Sequence, residues 1–187
     1  MSQTDEEIAA RVQRGDTEQF GMLVTRFEAK ISRYARKFLR TAEDREDLVQ
    51  EVFLKAFVNI KSFDTSRRFS PWLYRIAHNE FVNAICKSSR QPFQLFDFDT
   101  FFPELSAKET ADGDTNRFEI SREMETCLAE LPVKYREPIV LYHFEELHYD
   151  VIAEILRIPI STVGVRLKRG KQRLKDIYEA KFGKNHD

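Results

Sequence analysis

At 187 residues, 42% of them hydrophobic and 16 of them Phe, the chain has material for one domain or two small ones with compact cores, which excludes wholesale disorder. The formal net charge of -1 hides an asymmetry: Asp97–Glu125 carries nine acids against Lys108, Arg117 and Arg122, while Arg157–Lys184 carries nine basic residues against Asp176 and Glu179. A basic segment beside an acidic one is the charge pattern of a nucleic-acid binder, and net charge alone would mislead.

Cys86 and Cys127 stand far apart, with no CxxC pair and no His at metal-ligand spacing, so neither a zinc site nor a disulfide framework is expected. The opening MSQTDEEIAARVQRGD has no apolar run, and nothing approaches the ~18 consecutive apolar residues of a membrane span. The expectation is a soluble, cytoplasmic protein without membrane insertion.

In chain order, Asp5–Gly15 reads as a short helix with Ile8 and Val12 on one face and Gly15 as its stop. Asp16 or Thr17 then caps a helix with Phe20, Leu23, Val24, Phe27, Ile31, Tyr34, Ala35 and Phe38 at three- and four-residue steps. A third helix, about Ala42–Ile60, has the stripe Leu48, Val52, Phe53, Ala56, Phe57 and Ile60, with Asp44, Glu46, Asp47, Gln50 and Glu51 largely off it. Its acids lie in the first turns, where the helix dipole favours them.

A polar loop, Lys61–Ser70, precedes Pro71, which suits a first helical position; the helix it opens runs through Trp72, Leu73, Ile76, Ala77, Phe81, Val82 and Ile85. Trp72 falls with the core residues of that helix. Ser88–Phe118 reads as a linker broken by Pro92, Pro103 and Gly113, but Phe93, Leu95, Phe96, Phe98, Phe101 and Phe102 exceed what a solvated tether carries, and some are expected to dock. Helices resume at Glu119–Leu131 and Pro138–Phe144. No strand alternation and no repeat appears, so the fold class is all-α, in two small helical domains.

The last third holds an amphipathic helix, a break at Arg157-Ile158-Pro159 and a second helix opening at Ile160–Thr162 that grows more basic through Arg166, Lys168, Arg169, Lys171, Arg173 and Lys175. That describes a helix-turn-helix of the DNA-reading kind. Val163 and Leu167 read as core, while Thr162, Val165, Arg166 and Arg169 share an outward face. Gly164 costs roughly 1 kcal/mol of helix propensity and allows close backbone approach.

Four blocks, EDLVQEVFLKAF (Glu46–Phe57), FDTSRRFSPWLYRIAHN (Phe63–Asn79), LPVKYREPIVLYHFEELHYDVIAEIL (Leu131–Leu156) and ISTVGVRLKRGKQRL (Ile160–Leu174), resemble extracytoplasmic-function sigma factors in order and spacing. The resemblance covers nearly the whole chain. It implies a sigma domain 2 over residues 1–90, a linker over 91–118 and a sigma domain 4 over 119–187. It further implies core RNA polymerase as partner, through the clamp of the largest subunit and through the second-largest subunit, with promoter DNA and an anti-sigma factor as further candidate partners. An alternative sigma factor directs promoter-specific initiation by recognising −10 and −35 elements and melting DNA.

The same resemblance assigns residues. Asp47, Gln50, Glu51 and Lys55 make the polymerase-docking face, against a bland reading as a solvated acidic face. On the −10 side it implies phosphate contacts by Arg67, Arg68, Lys87 and Arg90, base contacts or stacking by Phe63, Phe69, Tyr74 and His78, and a DNA-facing edge of His78, Asn79 and Asn83. For the −35 element it implies Ser161 at a phosphate, Thr162, Val165, Arg166 and Arg169 toward bases, and Lys168, Lys171 and Arg173 on phosphates. The chain departs from the family's pattern at Asn83, where Asp is common, at Cys86, where Arg often stands, and at Gly164, where many relatives carry Lys.

Two rival classes remain. His143 and His148 in HFEELH stand five apart rather than the four of HExxH, and no Ser/His/Asp set, P-loop or GxGxxG is present, so no catalytic residue, metal or cofactor is expected. The alternative is a helix-turn-helix regulator acting without core polymerase, which would bind its site alone.

Overall fold

Thr4 starts the first helix by a reciprocal cap: its Oγ1 accepts from the Glu7 N–H at 3.2 Å, and its own N–H donates to Glu7 Oε2 at 2.9 Å. The structure, a computed structural model, describes residues 3–39, 42–88 and 123–183. Helix α1 (Asp5–Gln13) ends at Gly15, whose φ of 106° suits a residue without Cβ. A 3-10 turn at Thr17–Gln19 delays α2 to Phe20–Arg36, a little later than the expected cap. Helix α2 buries Phe20, Leu23, Phe27, Ile31, Tyr34 and Ala35, as its spacing predicts.

Helix α3 (Ala42–Val58) turns its inner face a step from the expected stripe, burying Val49, Val52, Phe53 and Ala56. Leu48 is only half-buried, and Phe57 is 37% exposed, meeting Phe20 edge-on at 5.1 Å. Gln13 of α1 donates from Nε2 to the carbonyls of Ile60 and Phe63, both at 2.7 Å, and pins the loop that follows. Glu6 accepts the Phe69 N–H at 2.9 Å, capping α4 (Phe69–Ser88) from another helix. Pro71 is thus the third residue of α4, still within the first turn, where a missing N–H costs nothing.

The second group begins with α5 (residues 123–130) and α6 (Val133–His143). Arg136 on α6 donates to the carbonyls of Ala129 and Leu131, closing the end of α5. The expectation that a helix starts at Pro138 is corrected: α6 starts five residues earlier, with Pro138 inside it. An interior Pro forfeits one backbone bond, and burial of Tyr135, Ile139, Val140 and Leu141 offsets the loss. Helices α7 (Tyr149–Leu156) and α8 (Ile160–Phe182) complete the chain; at 23 residues α8 is roughly 35 Å long. Its far end ties back to α5, with Tyr178 donating to Glu123 at 2.9 Å and Lys181 paired with Glu130.

Both groups are helical, and no strand occurs among the described residues. They are not beads on a tether: α4 packs along α7, and the buried apolar side chains form one continuous core. The linker over 91–118 lies outside the described residues.

Gly170 sets the closeness of α6 and α8. A Cβ there would stand 2.7 Å from Ile139 Cδ1 and 3.2 Å from the Tyr135 carbonyl, whereas at Gly164 the nearest atom, Tyr149 Cε2, is an ordinary 3.7 Å away. Gly170→Val is therefore expected to destabilise by about 1–3 kcal/mol through overpacking. Gly164→Ala should be neutral or stabilising by up to ~1 kcal/mol through helix propensity. Urea denaturation of the two variants checks both signs.

Candidate nucleic-acid interface

The helix-turn-helix is held by its inner faces. Val151, Ile152 and Ile155 of α7 and Val163 and Leu167 of α8 are all buried, the last two as the spacing predicts. Between the helices Arg157 adopts a left-handed conformation (φ 53°), and the Ile158 N–H bonds back to the Ala153 carbonyl at 3.2 Å. That closure is of the kind glycine favours, here carried by an Arg. It stops α7 and lets Pro159 start α8 at once.

On the outer face of α8, Ser161, Val165, Lys168, Lys171 and Arg173 are exposed, and Thr162, Arg166 and Arg169 are half-buried. Lys171 lies over the Tyr142 ring at 5.8 Å and Arg173 over the Tyr135 ring at 5.1 Å, so α6 aromatics support two of the phosphate candidates. Burial, with Lys171 nearby, pushes the His143 pKa below its ordinary value. The first turn of α8 presents backbone N–H groups beside Ser161, a geometry suited to an anion.

The −10 candidates divide by depth. Arg67 and Arg68 stand on an exposed loop shaped by Asp64, whose carboxylate accepts from the Ser66 N–H at 3.0 Å and its hydroxyl at 2.7 Å. Asn79 and Asn83 are exposed on α4, four residues apart on one face. Phe63 and Phe69 are not surface rings: 5% and 1% exposed, they pack with Trp72 at centroid distances of 5.3–5.4 Å. An expectation of base stacking there is corrected by the hydrophobic gain of closing three rings around the pinned loop. Trp72 is in the core, as expected. Arg90 and the side chains of Cys86 and Lys87 lie outside the described residues.

Tyr74 and His78 also point inward, for a different reason. The Tyr74 hydroxyl donates to Glu145 Oε2 at 2.5 Å, and His78 Nδ1 bonds with Glu137. Arg33 of α2 donates from Nε and Nη2 to the two oxygens of Glu145, 2.9 Å each. Burial, then Glu145, raises the Tyr74 pKa; the hydrogen bond that Arg33 donates to Glu145 raises that of Arg33. Burial also pushes the Glu137 carboxyl up, against the pull of His78, Arg166 and Arg136. Arg33, Glu137 and Glu145 are missing from the sequence-based candidates. Their partners lie 59 to 112 residues away, where no periodicity reaches.

On α3, Asp47 and Gln50 are exposed, with Glu51 half-buried. Lys55 is engaged, at 3.3 Å from Glu51 and 2.6 Å from Glu80 of α4, and these hydrogen bonds raise its pKa. Asp47 and Glu51 border a cleft of about 1160 Å³ between the two helical groups, facing Glu125, Glu130 and Arg136. Among the described residues no cluster of His, Cys, Asp and Glu could hold a metal ion. No described helix is long and apolar enough to cross a membrane.

Comparison with known proteins matches both groups. Residues 23–91 fit the family described as Sigma-70 region 2, and residues 121–174 fit Sigma-70, region 4. The chain is 36% identical over 173 residues to the ECF RNA polymerase sigma factor SigW of Bacillus subtilis, covering 88% of this chain and 91% of that one. It is 30% identical to the ECF RNA polymerase sigma-E factor of Escherichia coli K12, covering 90% and 91%. Among solved structures it resembles CnrH in complex with the cytosolic domain of CnrY, with a TM-score of 0.72 and 25% identity over 96% of this chain and 99% of that one.

Proposed function

The chain belongs to the extracytoplasmic-function group of RNA polymerase sigma factors, and from that membership we propose how its residues divide the work. As an alternative sigma factor it binds core RNA polymerase and directs initiation at its own promoters. The observation that carries the reading is the presence of both matched regions in one chain. A regulator acting without polymerase would leave the region 2 match without a role.

In this reading residues 1–90 form domain 2, 91–118 the linker and 119–187 domain 4. Asp47, Gln50 and Glu51 dock on the polymerase clamp, with Lys55 holding Glu51 in place through their ion pair. Arg67, Arg68, Asn79 and Asn83 meet the −10 strand, with Tyr74 and His78 joining once domain 4 has left them. Lys87 and Arg90 continue that basic edge along the sequence. Ser161, Thr162, Val165, Arg166 and Arg169 enter the −35 major groove, and Lys168, Lys171 and Arg173 grip phosphates. The protein carries out no catalysis of its own and works in the cytoplasm beside its polymerase. An anti-sigma factor remains a candidate partner through the family.

Run-off transcription with core polymerase tests the reading as a whole: promoter-specific transcripts are expected, and sequence-specific binding by the chain alone with no transcripts overturns it. Gln50→Ala with Glu51→Lys should abolish core binding while costing stability no more than about 1 kcal/mol, the exposed Gln50 adding little and Glu51 giving up its pair with Lys55 for a like-charge neighbour. Arg166→Ala should cost about 1–3 kcal/mol and relax specificity at one −35 position, whereas Lys171→Ala should weaken all sequences alike and lower the salt slope by about one. Joint replacement of Arg67, Arg68 and Asn79 by Ala should abolish permanganate reactivity of the promoter bubble and leave −35 binding intact.

A further inference from the structure

The loop proposed to meet the −10 strand is held at both ends by α1, a helix that supplies none of the proposed DNA contacts. At the start of the loop Gln13 divides its side-chain NH2 group between the carbonyls of Ile60 and Phe63, 2.7 Å each. At the end of the loop Glu6 accepts the Phe69 N–H at 2.9 Å. Glu6 and Gln13 are two helical turns apart and so lie on one face of α1. The helix is itself fixed by the buried Ile8, Ala9 and Val12 and by the ion pair of Asp5 with Arg26 on α2, at 2.6 Å.

Between these anchors the chain makes one tight turn. The Asp64 carboxylate accepts from Ser66, and the Asp64 carbonyl accepts the Arg67 N–H at 3.0 Å. Phe63 and Phe69 close the base of the loop against Trp72, and the side chains of Arg67 and Arg68 are left 69% and 68% exposed at its tip. A loop without such ties would give up backbone freedom on meeting a strand, and that loss would weaken binding.

We infer that α1 is a positioning element for strand reading: Gln13 and Glu6, without touching DNA, fix residues 60–69 in the shape that selects a −10 base. The inference rests on the −10 assignment of Arg67 and Arg68. A planar NH2 group suits the first anchor, since its two protons point in fixed directions, one for each carbonyl. A carboxylate suits the second, where the first turn of α4 offers N–H groups without partners inside the helix and the helix dipole favours negative charge. Both ties end on backbone atoms. They constrain the path of the loop and leave its side chains free to differ.

Holoenzyme assembled from core polymerase and the full chain tests this, on fork-junction DNA carrying the promoter mapped by run-off transcription with its −10 non-template bases unpaired. Affinity for that strand and for each single-base substitution in it gives a discrimination ratio at every position. Gln13→Leu keeps the bulk of the side chain and removes its donors. It should lower the ratio about fivefold at one or two adjacent positions, the scale of a lost base contact, with core binding and −35 duplex binding unchanged. Gln13→Lys, whose ammonium can donate to the same carbonyls, should restore the ratio. Loss of affinity by one factor on every strand would reduce Gln13 to a support of the fold and overturn the inference. Unchanged ratios in Gln13→Leu, where Arg67→Ala with Arg68→Ala does shift them, overturn it too and leave the −10 assignment standing. If neither variant shifts a ratio, that assignment fails and the inference with it. Should circular dichroism show Gln13→Leu unfolded, Glu6→Leu and Glu6→Gln decide. Only the Gln variant keeps an acceptor for the Phe69 N–H, so only the Leu variant should lose discrimination, and equal ratios in the two count against the proposal.

Discussion

A carboxylate shut away from water is tolerable only where donors meet both of its oxygens, and at Glu145 those donors come from two other helices. Arg33 reaches from α2 and Tyr74 from α4, while the carboxylate sits at the corner between α6 and α7. That corner is itself shaped by backbone closure: the Glu145 N–H returns to the Val140 carbonyl at 3.1 Å, and Glu146 takes a left-handed conformation. The corner from which α7 leaves α6 thus sets the Glu145 carboxylate between its donors on α2 and α4, alongside the apolar packing of α7 on α4. Net gain from such a pair is small, because desolvation consumes most of the attraction, but the wrong geometry is costly. The interaction selects an arrangement more than it strengthens one.

Helix α4 shows how one element serves two masters. Leu73, Ala77 and Phe81 are fully buried at four-residue steps and fill the core of the first group. Asn79 and Asn83, on the opposite side, remain in solvent. Tyr74 and His78 lie on the flank between, four residues apart, and face α6 and its following corner. A flank of this kind packs against the second group without drawing on the buried stripe that holds α4 to the first. The same separation holds in α8, where Val163 and Leu167 anchor the helix and leave the basic side chains outside.

Wherever a helix face is decided by its own spacing, the sequence is a sufficient guide. Phe20, Leu23, Phe27 and Ile31 repeat at three and four residues and are buried as predicted, and Val163 and Leu167 mark the inner face of α8 by the same rule. Two kinds of residue escape it. Pro138 reads as a helix start because proline is rare inside helices; only the burial on either side of it, a tertiary fact, lets α6 run through. Phe63 reads as a ring offered to a base through the family resemblance of its loop, yet Gln13 draws that loop inward from 50 residues away. The pairs Arg33–Glu145 and His78–Glu137 join groups whose relative placement no local pattern encodes, and they redirect Tyr74 and His78 from the surface that their family positions suggest.

The unbroken length of α8 has a mechanical side. Its first turns present the residues proposed to read the groove, while Tyr178 and Lys181 near the other end hold Glu123 and Glu130 on α5. For a rod roughly 35 Å long, a tilt of about 10° at one end would carry the other through roughly 6 Å. Helix α5 must follow or release its grip, and α5 is where the chain re-enters from the linker. In the proposed reading Ile160–Phe182 is therefore a lever as well as a reading head, passing movement at the duplex to α5.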